Sequence, residues 1–220
     1  MKKLHVDSVL KTYGNKQILT DIFITCKKGE IVGLLGRNGV GKSTLLEIIF
    51  GSIKADHKFV RADSKLIKGI LDTRNLIKYL PQENFLPNHI KISTIIKLFC
   101  DKENASTIFN NHLIKPLLNK KSKQLSGGEK RVVEIFLIVL SNAKYILMDE
   151  PFNAIAPIYK EEIKNLIIEQ SKYKAFIITD HDYLNILDIT TRTVIIKDGS
   201  VKEIKTNEEL ITYGYIRNLN

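Results

Sequence analysis

Apolar residues follow two different periods along this chain. Between residues 4 and 26 they alternate with polar residues in pieces, as in Ile22-Phe23-Ile24-Thr25-Cys26. Tyr13-Gly14-Asn15-Lys16 and Lys27-Lys28-Gly29 punctuate that stretch. A period of two broken at glycines predicts antiparallel strands joined by turns. Residues 31–35 read as a buried strand feeding a glycine-rich loop. From residue 42 to 50 the spacing turns helical, with Leu45, Leu46, Ile48 and Ile49 apolar, and Gly51 ends the run.

The second half repeats the theme. Residues 85–119 predict helices and polar loops, with Pro87 and Pro116 inside them, as in an inserted helical lobe. A helix follows Glu129 to about Leu140. Residues 145–148 form a second buried strand that ends in acids, 161–170 a helix, and 175–179 a third buried strand. Residues 193–197 and 201–204 flank Asp198-Gly199, a hairpin turn signal. Strand, helix, strand, helix, strand predicts an α/β sheet.

Composition narrows the class. The 220 residues suffice for one full core, or a core with a smaller lobe. With 44% hydrophobic and 26% charged residues the balance is that of an ordinary soluble protein. No apolar run approaches the roughly 18 residues that span a bilayer. No apolar stretch follows the N-terminal lysines, so a secretory signal is not expected. Cys26 and Cys100 match no metal or redox spacing and read as reduced thiols, which points to the cytosol. The net charge of +10 fits a lysine-rich solvated surface, an anionic lipid neighbour or a nucleic acid. The lysines are scattered rather than striped, so charge alone decides nothing.

Two segments carry chemistry. Gly36-Arg37-Asn38-Gly39-Val40-Gly41-Lys42-Ser43-Thr44 fits the phosphate-loop pattern G-x-x-x-x-G-K-[ST]. A chain this long meets that pattern by chance roughly once in a hundred. It also lies between a predicted strand and a predicted helix, as the loop requires. Glycines let backbone N–H groups turn onto phosphate oxygens, and the helix start adds its positive end. Lys42 is placed to reach the β- and γ-phosphates, and the Ser43 hydroxyl to ligate Mg²⁺. At the end of the second buried strand, Asp149 is expected to hold Mg²⁺ and Glu150 to take a proton from the attacking water. Leu125-Ser126-Gly127-Gly128-Glu129 has two compatible readings. It is a capping box ahead of an apolar helix, and its paired glycines let an anion approach the helix start.

With these segments the chain resembles the ATP-binding cassette (ABC) ATPases, the motor subunits of ABC transporters. The resemblance covers essentially the whole chain from Tyr13 onward, in the family's motif order. The phosphate loop alone marks a P-loop NTPase, and Leu125 to Glu129 makes the match specific. It implies a P-loop core sheet with an N-terminal antiparallel β subdomain and an inserted helical subdomain. Residues 1–82 and 141–220 would then form the nucleotide-binding core of a single domain, with about 83–140 as the helical lobe. Tyr13 corresponds to the aromatic that stacks on adenine. Gln82 corresponds to the glutamine that reaches Mg²⁺ and the attacking water. His181 corresponds to the histidine that contacts the γ-phosphate.

The family's ATP lies between the phosphate loop of one cassette and the Leu125–Glu129 signature of another. The resemblance therefore implies a homodimer, or a pair with a paralogous cassette. It also implies separate transmembrane permease subunits and a peripheral position at the cytoplasmic face of the cell membrane. The alternative load is a soluble role in cofactor assembly, on ribosomes or on DNA. One departure stands out: Ala156 occupies the place of an aspartate that crosses the dimer interface, so turnover and communication between sites are the properties in question.

Overall fold

The computed structural model describes residues 2–206 and 208–216. The chain opens with β1 (Leu4–Tyr13) and β2 (Lys16–Cys26), which pair antiparallel with Leu4 opposite Cys26. The register shifts between Val6 and Val9 and twice more before Thr12, and Ser8 takes φ +51°. Each irregularity resets which face a side chain meets, so the apolar alternation runs in pieces.

Next come β3 (Ile31–Leu35), α1 (Lys42–Phe50), β4 (His57–Ala62), β5 (Lys65–Leu66) and β6 (Ile77–Leu80). The helical stretch holds α2 (Ile92–Phe99), α3 (Lys102–Asn110) and α4 (Gly127–Val139). Then follow β7 (Tyr145–Asp149), α5 (Pro157–Ser171), β8 (Ala175–Thr179) and α6 (Tyr183–Leu187). Last are β9 (Arg192–Lys197), β10 (Ser200–Ile204) and α7 (Glu208–Thr212).

The strands form two sheets, β2-β1-β4-β5 and β10-β9-β3-β8-β7-β6. In the second, all neighbours run parallel except the β9–β10 hairpin. Lys197 faces Ser200 across that turn, and Asp198 and Gly199 both have positive φ, as a two-residue hairpin requires. The Gly199 carbonyl accepts from the Thr20 N–H at 2.6 Å, which stitches the two sheets together.

Period-two alternation divides the core. Val32, Leu34, Leu147, Ile177 and Val194 face α1 and the antiparallel sheet. Ile31, Leu35, Met148, Phe176 and Ile178 face the helices on the opposite side. Both faces are covered, so β3, β7 and β8 are buried at every position.

Three strands, β4, β5 and β6, lie where the sequence pattern places no element. They are short, and β4 exposes His57, Phe59 and Arg61 and buries only Val60 and Ala62. Its long partner is β1, with Leu4 opposite Ala62 and Leu10 opposite His57, so tertiary pairing defines it. The helix expected over 161–170 starts earlier, at Pro157, whose fixed φ suits a first helical position. Among the described residues no helix is long and apolar enough to cross a membrane. Both cysteines are free, and burial pushes the Cys26 thiol up to about 12 and that of Cys100 to about 11, so both stay protonated.

Candidate active site

Four polar segments meet at one edge of the large sheet, because each follows the C-terminal end of a parallel strand. The glycine-rich loop follows β3, Gln82 follows β6, Asp149 and Glu150 close β7, and Asp180 and His181 follow β8. Ligands of open α/β sheets bind at such an edge. A cleft of about 400 Å³ opens there, lined by Tyr13, Ile18, Asn38, Gly39, Gly41, Lys42, Ser43, Thr44, Gln82, Glu150 and His181.

Local chemistry shapes the loop. Gly41 has φ +106° and is the N-cap of α1, and a Cβ there would lie 2.7 Å from the Ile18 methyl. Only glycine fits both the dihedral and the space. No side chain caps α1, so its first-turn N–H groups face the cleft free to bind an anion. The Lys42 ammonium donates to the Gly36 carbonyl at 2.7 Å and to that of Arg37 at 3.3 Å. Burial lowers its pKa, and the carboxylates of Glu150 and Asp149 oppose that.

Glu150 is held on both oxygens. The Gln82 amide donates to its Oε2 at 2.9 Å, and His181 Nε2 lies 2.7 Å from Oε1. Burial first, and then the nearby Asp149 and Asp180, raise its pKa, while His181 works against them. Its backbone sits in the left-handed region at φ +49°, a cost that the surrounding contacts must offset. Asp149 lies beneath, 1% exposed. Its Oδ2 accepts from the Tyr79 hydroxyl at 3.2 Å, while Oδ1 is buried without a partner.

That orphan oxygen bears on Mg²⁺. Among the described residues no cluster of three His, Cys, Asp or Glu side chains could hold a metal by itself. Mg²⁺ needs no such cage, since it keeps waters and binds through one or two carboxylates plus substrate phosphates. An unpartnered buried carboxylate oxygen beside the Ser43 hydroxyl, with Gln82 on the cleft wall, fits that mode.

Not every expected site residue reaches the cleft. Gly36, Arg37 and Val40 do not line it, and Arg37 turns away from it. Tyr13 ends β1 at its rim, 48% exposed, with the Lys11 ammonium 4.7 Å from its ring centre. None of Leu125, Ser126, Gly127, Gly128 and Glu129 lines it. Leu125 packs in the core, and Ser126 and Glu129 form a reciprocal capping box: Glu129 N–H to Ser126 Oγ at 3.2 Å, and Ser126 N–H to Glu129 Oε2 at 2.7 Å. A Cβ on Gly128 would strike the Ala154 carbonyl at 2.6 Å, whereas one on Gly127 would meet nothing within 4 Å.

Sequence reasoning missed a buried pair on α4. Arg131, 3% exposed, donates to the carbonyls of Pro81, Asp149 and Glu150 at 2.6, 2.5 and 2.9 Å. Its neighbour Glu134, 3.6 Å away, accepts from the N–H groups of Phe85 and Leu86. The helix that starts at the signature thus clamps the Gln82 loop to the acidic strand end. The available signal was two opposite charges three residues apart inside an apolar helical run.

A parallel sheet with this cleft defines a class: the P-loop ATPases of the cassette kind. The ABC transporter family model matches residues 19–153. The lipopolysaccharide export system ATP-binding protein LptB of Haemophilus influenzae is 30% identical over 226 residues, covering 96% of this chain and 93% of that protein. LptB of Escherichia coli K12 is 29% identical over 231 residues, covering 99% and 96%. A solved ATP-binding subunit of an ABC transporter superposes with a TM-score of 0.85 at 21% identity, over 99% of this chain and 95% of that one. A nucleotide-free cassette gives 0.80 at 24%, over 98% and 96%. The chain belongs to the ABC transporter family, as an ATP-binding subunit.

Proposed function

We propose that this chain is the Mg²⁺-dependent ATP-hydrolysing motor of a transporter and works as a pair of copies closed around ATP. The observation that carries the pairing is the separation within one chain. The cleft holds the phosphate loop, Gln82, Glu150 and His181, while the signature lies outside it. Gly127 is open on its Cβ side, so nothing in its own chain requires a glycine there. A second copy whose phosphates approach that bare helix start would require one.

In this reading Tyr13 stacks on adenine and the α1 N–H groups cradle the phosphates. Lys42 exchanges its loop carbonyls for β- and γ-phosphate oxygens. Ser43, Gln82 and Asp149 would hold Mg²⁺, whose charge would offset that of the phosphates. Glu150, fixed by Gln82 and His181, accepts the proton as water bonds to the γ-phosphorus. The bond to the bridging oxygen breaks, and ADP and phosphate leave. Ser126 to Glu129 of the second copy complete the phosphate contacts.

Transmembrane subunits would dock beside Gln82. Phe85 packs at a tilt against Phe99 with ring centres 5.9 Å apart, and the neighbouring Leu98 of α2 is 74% exposed. The relatives' name refers to lipopolysaccharide export; cargo choice here is assigned to the membrane partners. Purification from solubilised membranes tests the assignment: a multi-span partner should accompany the tagged chain, and its absence would shift the load to a soluble role.

A further inference from the structure

Arg37 stands second in the phosphate loop, yet its guanidinium reaches the far end of the chain. Its Nε and Nη2 both donate to the Gly214 carbonyl, at 3.2 and 2.6 Å. Gly214 has φ +67°, the left-handed turn that aims this carbonyl. The turn is anchored rather than loose. Leu210 is fully buried, the Tyr213 N–H donates to the Glu209 carbonyl at 2.8 Å, and the Tyr215 N–H to that of Leu210 at 2.8 Å. The adjacent Tyr215 ring packs edge-on against Tyr183 at 6.1 Å. Tyr183 is the first residue of α6, two residues after His181. One short segment therefore touches both the phosphate loop and the segment that carries the cleft histidine.

A cavity of about 300 Å³, bordered by Val40, Lys197, Tyr213 and Tyr215, lies under this bridge. The two sides are thus joined by the guanidinium and the rings rather than by continuous packing. In the observed state the Gly36 and Arg37 carbonyls hold Lys42, and a nucleotide must draw Lys42 off them. The guanidinium contact needs no change for that, so it preserves the loop's shape while its internal bonds are exchanged.

We propose that residues 208–216 form a strap that keeps the phosphate loop and the histidine segment in register, with Arg37 and Tyr215 as its positioning residues. The proposal rests on the ATP-site reading above. Arg37 acts on the loop shared by all phosphates, so its loss weakens ATP and ADP alike. Tyr215 acts through the histidine segment at the γ-phosphate, so its loss weakens ATP selectively.

The test is equilibrium binding of fluorescent ATP and ADP analogues to the full chain. Arg37→Ala should raise both dissociation constants about fivefold, the effect of one exposed charge-assisted contact. Arg37→Lys should fall between that variant and wild type. Tyr215→Leu should weaken ATP and leave ADP unchanged. Melting of the nucleotide-free variants controls for a merely structural role. Lowered melting temperature with unchanged affinity, or wild-type affinity in Arg37→Ala, overturns the strap, and equal loss of ATP and ADP in Tyr215→Leu overturns its second contact. If the wild type binds neither analogue, the ATP-site reading itself fails.

Discussion

Glu150 is constrained at its backbone and at both carboxylate oxygens. A left-handed φ of +49° is uncommon for a residue with a side chain, and it aims the carboxylate between Gln82 and His181. Only an ionised carboxylate accepts a proton. With its pKa raised by burial, the rate should fall as pH drops through a value above the ordinary 4.5 of a glutamic acid. The pH profile of kcat/KM, which reports the free enzyme, measures this, and an acid limb below 4.5 would contradict it. Glu150→Gln should bind ATP normally and lose turnover by about 10²- to 10⁴-fold, the range of a general base. Ala156 invites the opposite kind of change. It is the N-cap of α5 and its side chain accepts no hydrogen bond. Ala156→Asp should add about 1 kcal/mol of stability, the usual worth of a cap. In a chain of this size that raises Tm by about 2–4 °C, read by thermal melting. The residue scale was partly legible. Motif spacing marked Lys42, the acidic end of a buried strand marked Glu150, and the family resemblance marked Gln82 and His181; the fold brings all four to one edge, whereas Tyr79 and the outward turn of Arg37 depend on contacts that no local pattern records.

At the scale of elements, α4 does two jobs. Its first turn carries the signature, and its second carries the Arg131–Glu134 clamp. Arg131→Met leaves the Glu134 carboxylate buried and three carbonyls without their donor. Breaking such a pair costs about 3–5 kcal/mol, which a urea denaturation midpoint will register. The two signature glycines should separate in the same assay. Gly128→Ala meets the Ala154 carbonyl and should destabilise the single chain, whereas Gly127→Ala meets open space and should not. Equal melting of the two variants would contradict the geometry. Strands buried on both faces, and helices with a clear apolar side, were legible as elements. β4, β5 and β6 were not, because β4 and β6 are short and paired with distant strands and β5 is a two-residue strand hairpinned to β4.

At the scale of the molecule, the sheet edge gathers the phosphate loop, Gln82, Glu150 and His181 and leaves residues 125–129 outside the cleft, which in the proposed function makes them two halves of an ATP site. The antiparallel sheet and α1 brace one side of the phosphate loop, and the helical stretch carries the signature away from it. The family resemblance implied that division, and the fold adds that none of residues 125–129 lines the cleft. In the proposed function two copies complete one site. That pairing is tested most directly by the solution mass of Glu150→Gln, measured by light scattering with and without ATP and Mg²⁺. A monomer is expected without nucleotide and a doubled mass with it, abolished by Ser126→Arg. A monomer that binds ATP tightly and stays a monomer would contradict it.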